Sequence, residues 1–260
     1  MAGKRDGAER WEEQAKVLRS LRAYALDPVG FAWEKLEWGP DEKQTEVLRS
    51  LRQRVILNWG RQSGKTTMAA AKMAHTAATM PGTESVWVSA RKEHTAEVFA
   101  KLRMFFGRLG ITPKGQRGKE MAMVLANGSR ILGMAAKDAT VRGYTTHLLM
   151  VDEGAQVADA VYGAITGQLS TTEGAMWVLG TPRGKRGEFY RIWKEGDTEE
   201  WLKVQRRTVE CGRVSAKFLE SERKLKGDVL VKQEYECVFT DDGTTLLRPE
   251  DVDSLFGKEE

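Results

Sequence analysis

The stretch LNWGRQSGKTTMAAAKMA, residues 57–74, constrains this chain more than any other. It passes from an apolar segment through a glycine-bounded turn into an alanine-rich segment, with Gly64-Lys65-Thr66 at the junction. A phosphate-binding loop needs this order: a strand, a tight turn and a helix N-terminus, so that backbone N–H groups converge on an anion. RVILN (54–58) is the short continuous apolar run of a strand buried on both faces. KTTMAAAKMAHTAATM reads as a helix that ends at Pro81-Gly82. The usual loop has four residues between its first glycine and Gly-Lys-Ser/Thr. Here only Arg61, Gln62 and Ser63 separate Gly60 from Gly64. In such a loop Gly64 lets the backbone approach the phosphates, Lys65 reaches the β- and γ-phosphates, and Thr66 holds Mg²⁺. Arg61 adds a second cation near the same anion.

A second segment answers the first. LLMVDE (148–153) ends an apolar strand in two carboxylates, at the end where parallel sheets bind their ligands. Two adjacent acids capping a buried strand are costly unless they serve a cation or a reaction. Asp152 is placed to hold Mg²⁺, and Glu153 to act as general base toward a water at the γ-phosphate.

Between and around these motifs, strands and helices alternate. Residues 9–36 have a loose helical rhythm, with Pro28 following Asp27 as a helix start, and Pro40-Asp41 opens another helix with Val47, Leu48 and Leu51 as its apolar face. SVWVSA (85–90) is strand-like and HTAEVFAKLRMFFGRL helical. MAMVLANGSRILGMAA holds two apolar runs around Asn127-Gly128, a hairpin signal. A helix is expected over 159–169, strands over 175–180 and WLKVQRRTV, and a capped helix over SAKFLESERKLKG. The tail from Gln233 onward is less regular. The alternation implies an α/β domain with a largely parallel sheet.

Composition adds limits rather than direction. At 260 residues, 41% hydrophobic and 30% charged, the chain is ordinary globular protein. Its net charge of +4 permits a polyanionic partner without requiring one. Two cysteines far apart and three scattered histidines give neither a disulfide framework nor a zinc site. No apolar run has signal-peptide or membrane-span character, so an intracellular, soluble protein with no membrane partner is expected. The glycine-rich basic stretches TPRGKRGEFYRIWK (Arg183, Lys185, Arg186, Arg191, Lys194) and TPKGQRGK (Lys114, Arg117, Lys119) suit either a phosphate backbone or a solvated surface.

GRQSGKTT, LLMVDEGA and VLGTPRG together resemble the ATPase domain of the large terminase subunit of tailed double-stranded DNA phages. In that family the loop is characteristically shortened and carries Arg-Gln before its Gly-Lys-Thr, as Arg61-Gln62 do. The resemblance spans residues 27–247. It implies a P-loop NTPase of the ASCE, RecA-like type: an α/β fold with a mostly parallel central sheet flanked by helices and a small helical or irregular appendage. ATP and Mg²⁺ are the implied cofactors. Gly60, Arg61, Gln62, Ser63, Gly64, Lys65, Thr66 and Thr67 form the implied loop, with Thr66 and Asp152 on the metal and Glu153 and Lys65 catalytic. By the same resemblance Gln44 in PDEKQ reads the adenine edge, and Ser89 and Arg91 lie near the nucleotide or DNA. Thr181 in Gly-Thr-Pro senses the γ-phosphate. Arg142 is an arginine finger for a neighbouring subunit, with Arg61 and Arg91 as rivals.

The resemblance also organises the chain: 1–40 as a helical segment packing on the core, 41–210 as the ATPase core, and 211–260 as a subdomain and linker toward a nuclease domain. The acids Asp241, Asp242, Asp251 and Asp253 are read as linker, so no nuclease activity is expected of this fragment. The implied partners are double-stranded DNA, the portal protein, the small terminase subunit and further copies in a ring, the isolated fragment being monomeric. The implied setting is the host cell cytoplasm. Two other readings stay open: a superfamily 2 helicase-like translocase, and a nucleotide-gated module that binds DNA or a portal and hardly hydrolyses ATP.

Overall fold

The computed structural model describes residues 2–116, 119–138 and 145–240. Its frame is an eight-stranded sheet. The strands are β1 (Arg54–Trp59), β2 (Glu84–Ser89), β3 (Lys114–Gln116), β4 (Lys119–Val124), β5 (Arg130–Ala135), β6 (Leu148–Asp152), β7 (Ala175–Gly180) and β8 (Trp201–Arg206), in the spatial order β3-β4-β5-β2-β6-β7-β1-β8. Pairings from β5 through β8 are parallel, and β3 and β4 extend one edge antiparallel. The Asn127-Gly128 turn joins β4 to β5 as the sequence suggests, Gly128 taking φ +84°.

The alternation of side chains across β1 sorts the core into two layers. Val55, Leu57 and Trp59 join one buried cluster and Ile56 the other; β6 and β7 divide in the same way. On the first face lie α1 (Ala2–Leu21), α2 (Pro28–Glu34), α3 (Glu42–Arg49), α4 (Lys65–Thr79) and α5 (Lys92–Arg108); α6 (Asp159–Thr166) and α7 (Gly187–Glu195) cover the second. Helix α4 is enclosed by sheet and neighbouring helices, which is why it tolerates so little bulk: Ala69, Ala70, Ala71, Ala74, Ala77 and Ala78 are all buried. The N-terminal helices dock on it through Leu18, Leu21 and Phe31, and His75 Nε2 donates to the Tyr24 carbonyl at 2.8 Å.

Several boundaries differ from the sequence reading. The first helix starts at Ala2 and breaks at residues 22–27, because Asp27 caps α2 through the Gly30 N–H. Half of the basic stretch after β7 is helix α7, anchored by buried Phe189 and Ile192. Its Arg191 pairs with Asp159 at 3.5 Å and with Glu188, so that residue serves the fold. Lys114 lies in β3 with its ammonium 3.8 Å from the centre of the Trp11 ring. Two short helices, α8 (Ala216–Lys226) and α9 (Asp228–Glu234), follow β8; the second occupies mostly residues 228–232, for which the sequence suggests no element. No helix of the described residues is long and apolar enough to cross a membrane.

Candidate active site

Parallel register brings the chemistry to one edge. Asn58 pairs with Gly180 and Ser89 with Asp152, so the segments leaving β1, β7, β6 and β2 emerge side by side at the carboxyl ends of their strands. β7 lies between β1, which carries the glycine loop, and β6, which carries the acids.

The loop reverses direction by placing two residues in left-handed backbone: Gln62 at φ +58° and Gly64 at φ +81°. Gly64 also needs its missing side chain, because a Cβ there would collide with the Arg213 guanidinium and stand 2.7 Å from Gln44 Nε2. Gly60 is equally confined; a Cβ would press on Thr208 and on the Tyr235 carbonyl at 2.9 Å. The chain then enters α4, whose first backbone N–H groups have no helical partner, an arrangement suited to an anion. A cleft of about 350 Å³ opens there, lined by Gln62, Ser63, Gly64, Lys65, Thr66 and Thr67 and, from α5, Glu97 and Lys101. Ser63 is buried with its hydroxyl unpaired. A buried polar atom without a partner is what a site missing its ligand leaves behind.

Lys65 is 7% exposed, and its ammonium is held between two other strands' ends. It donates to Thr181 Oγ1 at 3.2 Å and stands 3.8 Å from Glu153 Oε1. Thr181 Oγ1 in turn donates a hydrogen bond to the Trp59 carbonyl at 3.2 Å, so β1, β7 and the lysine are tied together. Glu153 takes φ +51°, a left-handed conformation that turns its carboxylate back over the sheet edge. Gln156 Nε2 reaches its other oxygen at 3.4 Å. Behind it Gly154 has no room for a side chain, since Tyr162, Val178 and Phe189 pack against it.

Asp152 is buried at the end of β6 and accepts the Glu153 N–H at 3.0 Å. Burial, then repulsion from Glu153, push its carboxyl up to about 7, while Lys65 pulls the other way. A carboxylate so short of positive charge is suited to a hard divalent cation. Its oxygens, like the Thr66 hydroxyl at the start of α4, are donors of the type that hard divalent cations take.

The structure thus brings Gly60 through Thr67, Asp152, Glu153 and Thr181 to one place. Other expected residues sit differently. Gln44 is fully buried: its Oε1 accepts the Asp41 N–H at 3.0 Å, and its Nε2 points to the Gly64 carbonyl at 3.5 Å. Both ends of its amide brace α3 against the loop. Ser89 is buried and spends its hydroxyl on the Arg91 carbonyl, at 2.9 Å, and on Thr95, at 2.6 Å. Arg91 is exposed at the start of α5. Arg61 is occupied with the C-terminal segment: its N–H donates to the Glu234 carbonyl at 2.8 Å, its carbonyl accepts from Thr208 at 2.7 Å, and its guanidinium lies 3.4 Å from Glu234. Arg142 lies outside the described residues, as do Asp241, Asp242, Asp251 and Asp253.

Sequence reading missed three contributors. Glu97 and Lys101, one turn apart on α5, face the cleft; their i,i+4 spacing marks a shared face but not which one. Asp41 is a hub: it caps α3, binds both oxygens to Arg206 Nη1 at 2.9 Å, and lies 3.6 Å from Arg213. Nothing in the local pattern announces that 41 and 206 meet.

The family model described as terminase large subunit, T4likevirus-type, N-terminal, matches residues 56–253. Among solved structures, the Thermus phage P74-26 large terminase ATPase domain superposes with a TM-score of 0.70 at 22% identity, covering 80% of this chain and 97% of that one. The HK97 bacteriophage large terminase gives 0.68 at 15% identity, covering 82% and 54%. The large terminase of the thermophilic bacteriophage D6E, solved in complex with ADP, gives 0.65 at 15% identity, covering 77% and 54%. The chain therefore spans about half the length of the D6E and HK97 proteins. No curated protein matches the sequence.

Proposed function

This chain belongs to the terminase large subunit, N-terminal family of the T4-like-virus type, and from that premise we propose that it is the ATP-hydrolysing motor domain that drives double-stranded DNA into a viral procapsid. The observation that carries this reading is the Lys65 ammonium suspended between the Thr181 hydroxyl and the Glu153 carboxylate at the mouth of the loop. That arrangement is a cationic seat for a terminal phosphate with a base directly beside it. The folds of nucleotide-binding and ATPase-domain relatives support it.

On binding, the triphosphate lies along the N–H groups of the loop, and Lys65 exchanges Thr181 and Glu153 for β- and γ-phosphate oxygens. Glu153, freed from the lysine, accepts a proton from a water aligned with the γ-phosphorus. The water oxygen bonds to phosphorus as the bond to the β-phosphate oxygen breaks, giving ADP and inorganic phosphate. Thr66 and Asp152 would hold Mg²⁺, which neutralises charge on the phosphate oxygens. Thr181, hydrogen-bonded to Lys65 and to β1, feels the loss of the γ-phosphate and transmits it to the segment after β7. Exposed Arg183 in that segment, with its neighbouring lysine and arginine, offers sequence-independent contact to the DNA backbone. In the assembled ring, Arg142 from a neighbouring copy supplies the missing transition-state cation. Double-stranded DNA, the portal protein and the small terminase subunit are the proposed partners, in the host cytoplasm. Packaging of duplex DNA into procapsids by a protein carrying Lys65→Ala, alongside ADP binding and ATP turnover, tests the scheme. Normal turnover in that variant overturns it.

A further inference from the structure

We propose that Arg213 is a nucleotide-binding residue, a cation delivered from outside the phosphate loop to the ribose and α-phosphate end of the bound nucleotide. The inference rests on the reading of the loop as a nucleotide site and adds to it a residue that belongs to none of the loop's motifs.

The observation is steric and electrostatic together. Gly64 is shared by two surroundings. It lines the cleft with the other residues of 62–67. The space that a Gly64 side chain would fill is taken by the Arg213 guanidinium and the Gln44 amide. A nucleotide seated in the cleft and crossing Gly64 meets Arg213 next. The Gln44 oxygen is taken by the Asp41 N–H and one of its two amide hydrogens points to the Gly64 carbonyl, so Arg213 is the charged donor beside it at this rim. Its side chain is 45% exposed, and its carboxylate partner, Asp41, is 3.6 Å away and already engaged at 2.9 Å by Arg206. A guanidinium held this loosely changes partners at small cost, and its planar fork suits phosphate oxygens. The chain also aims it there: β8 ends at Arg206, a short turn follows, and Gly212 at φ +64° sends Arg213 back over the loop before Ser215 caps α8 through the Phe218 N–H.

Calorimetric titration of ADP into four proteins tests the proposal. Relative to the native chain, Arg213→Ala should weaken ADP binding about tenfold to a hundredfold, the usual worth of a charge-assisted hydrogen bond. Arg213→Lys, which keeps the charge but not the fork, should fall between. Both variants should melt within a degree or two of the native protein when nucleotide is absent, because Asp41 keeps its closer partner. Lys65→Ala reports separately on the loop. If Lys65→Ala loses ADP while both Arg213 variants bind within twofold of native, the Arg213 proposal fails and the loop stands. If the native chain binds no ADP, both fall. A second measurement needs no variant: ADP should slow modification of Arg213 by phenylglyoxal in the native protein, and an unchanged rate overturns the assignment.

Discussion

At the scale of single residues, the site is a set of charges balanced against one another in the absence of nucleotide. Lys65 answers Glu153, while burial, and after it the neighbouring Glu153 charge, raise the Asp152 carboxyl to about 7. An ordinary aspartate in the unfolded chain loses its proton near pH 4. Between roughly pH 4 and 7 the folded protein therefore holds a proton that the unfolded chain has released, and stability declines as pH rises through that window. Scanning calorimetry from pH 4.5 to 7.5 should show this decline, and Asp152→Asn should flatten it; parallel curves for the two proteins would remove Asp152 as the cause. Binding of the Mg²⁺–nucleotide complex should correspondingly release a proton and weaken below pH 7. Glu153→Gln should leave ADP affinity unchanged and lower turnover by about 10²–10⁴, the usual range for a lost general base. Full turnover in that variant would assign the base elsewhere.

At the scale of elements, the strands with their loops were the legible part. β1, β6 and β7 are continuous apolar runs, and a run buried on both faces can only be an interior strand, so the residues at its exit follow from sequence. Gly60 to Thr67, Asp152 and Glu153 stand at such exits, whereas Thr181 is pointed to only by the family resemblance. What escaped depends on pairing between distant segments. Gln44 belongs to a helix start whose local signal was clear, yet its burial against Gly64 arises only when α3 docks on the loop. Helix α7 was hidden by the basic residues on its exposed side, although Phe189 and Ile192 carry its buried face. Asp41 shows how much one such docking residue holds. It caps α3 and neutralises Arg206, which is 4% exposed. Asp41→Ala should cost about 3 kcal/mol in a urea titration, chiefly because a buried guanidinium loses its carboxylate. A loss under about 0.5 kcal/mol would place the pair among ordinary surface contacts.

At the scale of the whole molecule, two of the arginines expected near the γ-phosphate are, among the described residues, directed elsewhere. Arg61 faces Glu234, and Arg91 stands exposed at the head of α5. If a neighbour's Arg142 completes the site, turnover per subunit should rise with protein concentration, and Arg142→Ala should abolish that rise while sparing ADP binding. A rate per subunit that stays constant over a hundredfold range of concentration would favour completion within one chain. The ties between Arg61 and the region from Thr208 to Glu234 add a mechanical consequence. Tyr235 and Cys237 likewise offer their carbonyls to Thr208 and Asn58. A load pulling on the chain beyond α9 is thus carried to the ends of β1 and β8 through Asn58, Gln205 and Arg206, and to the glycine loop through the bond of Arg61 to Glu234. Tension there and occupancy of the cup are opposing hands on one short rope.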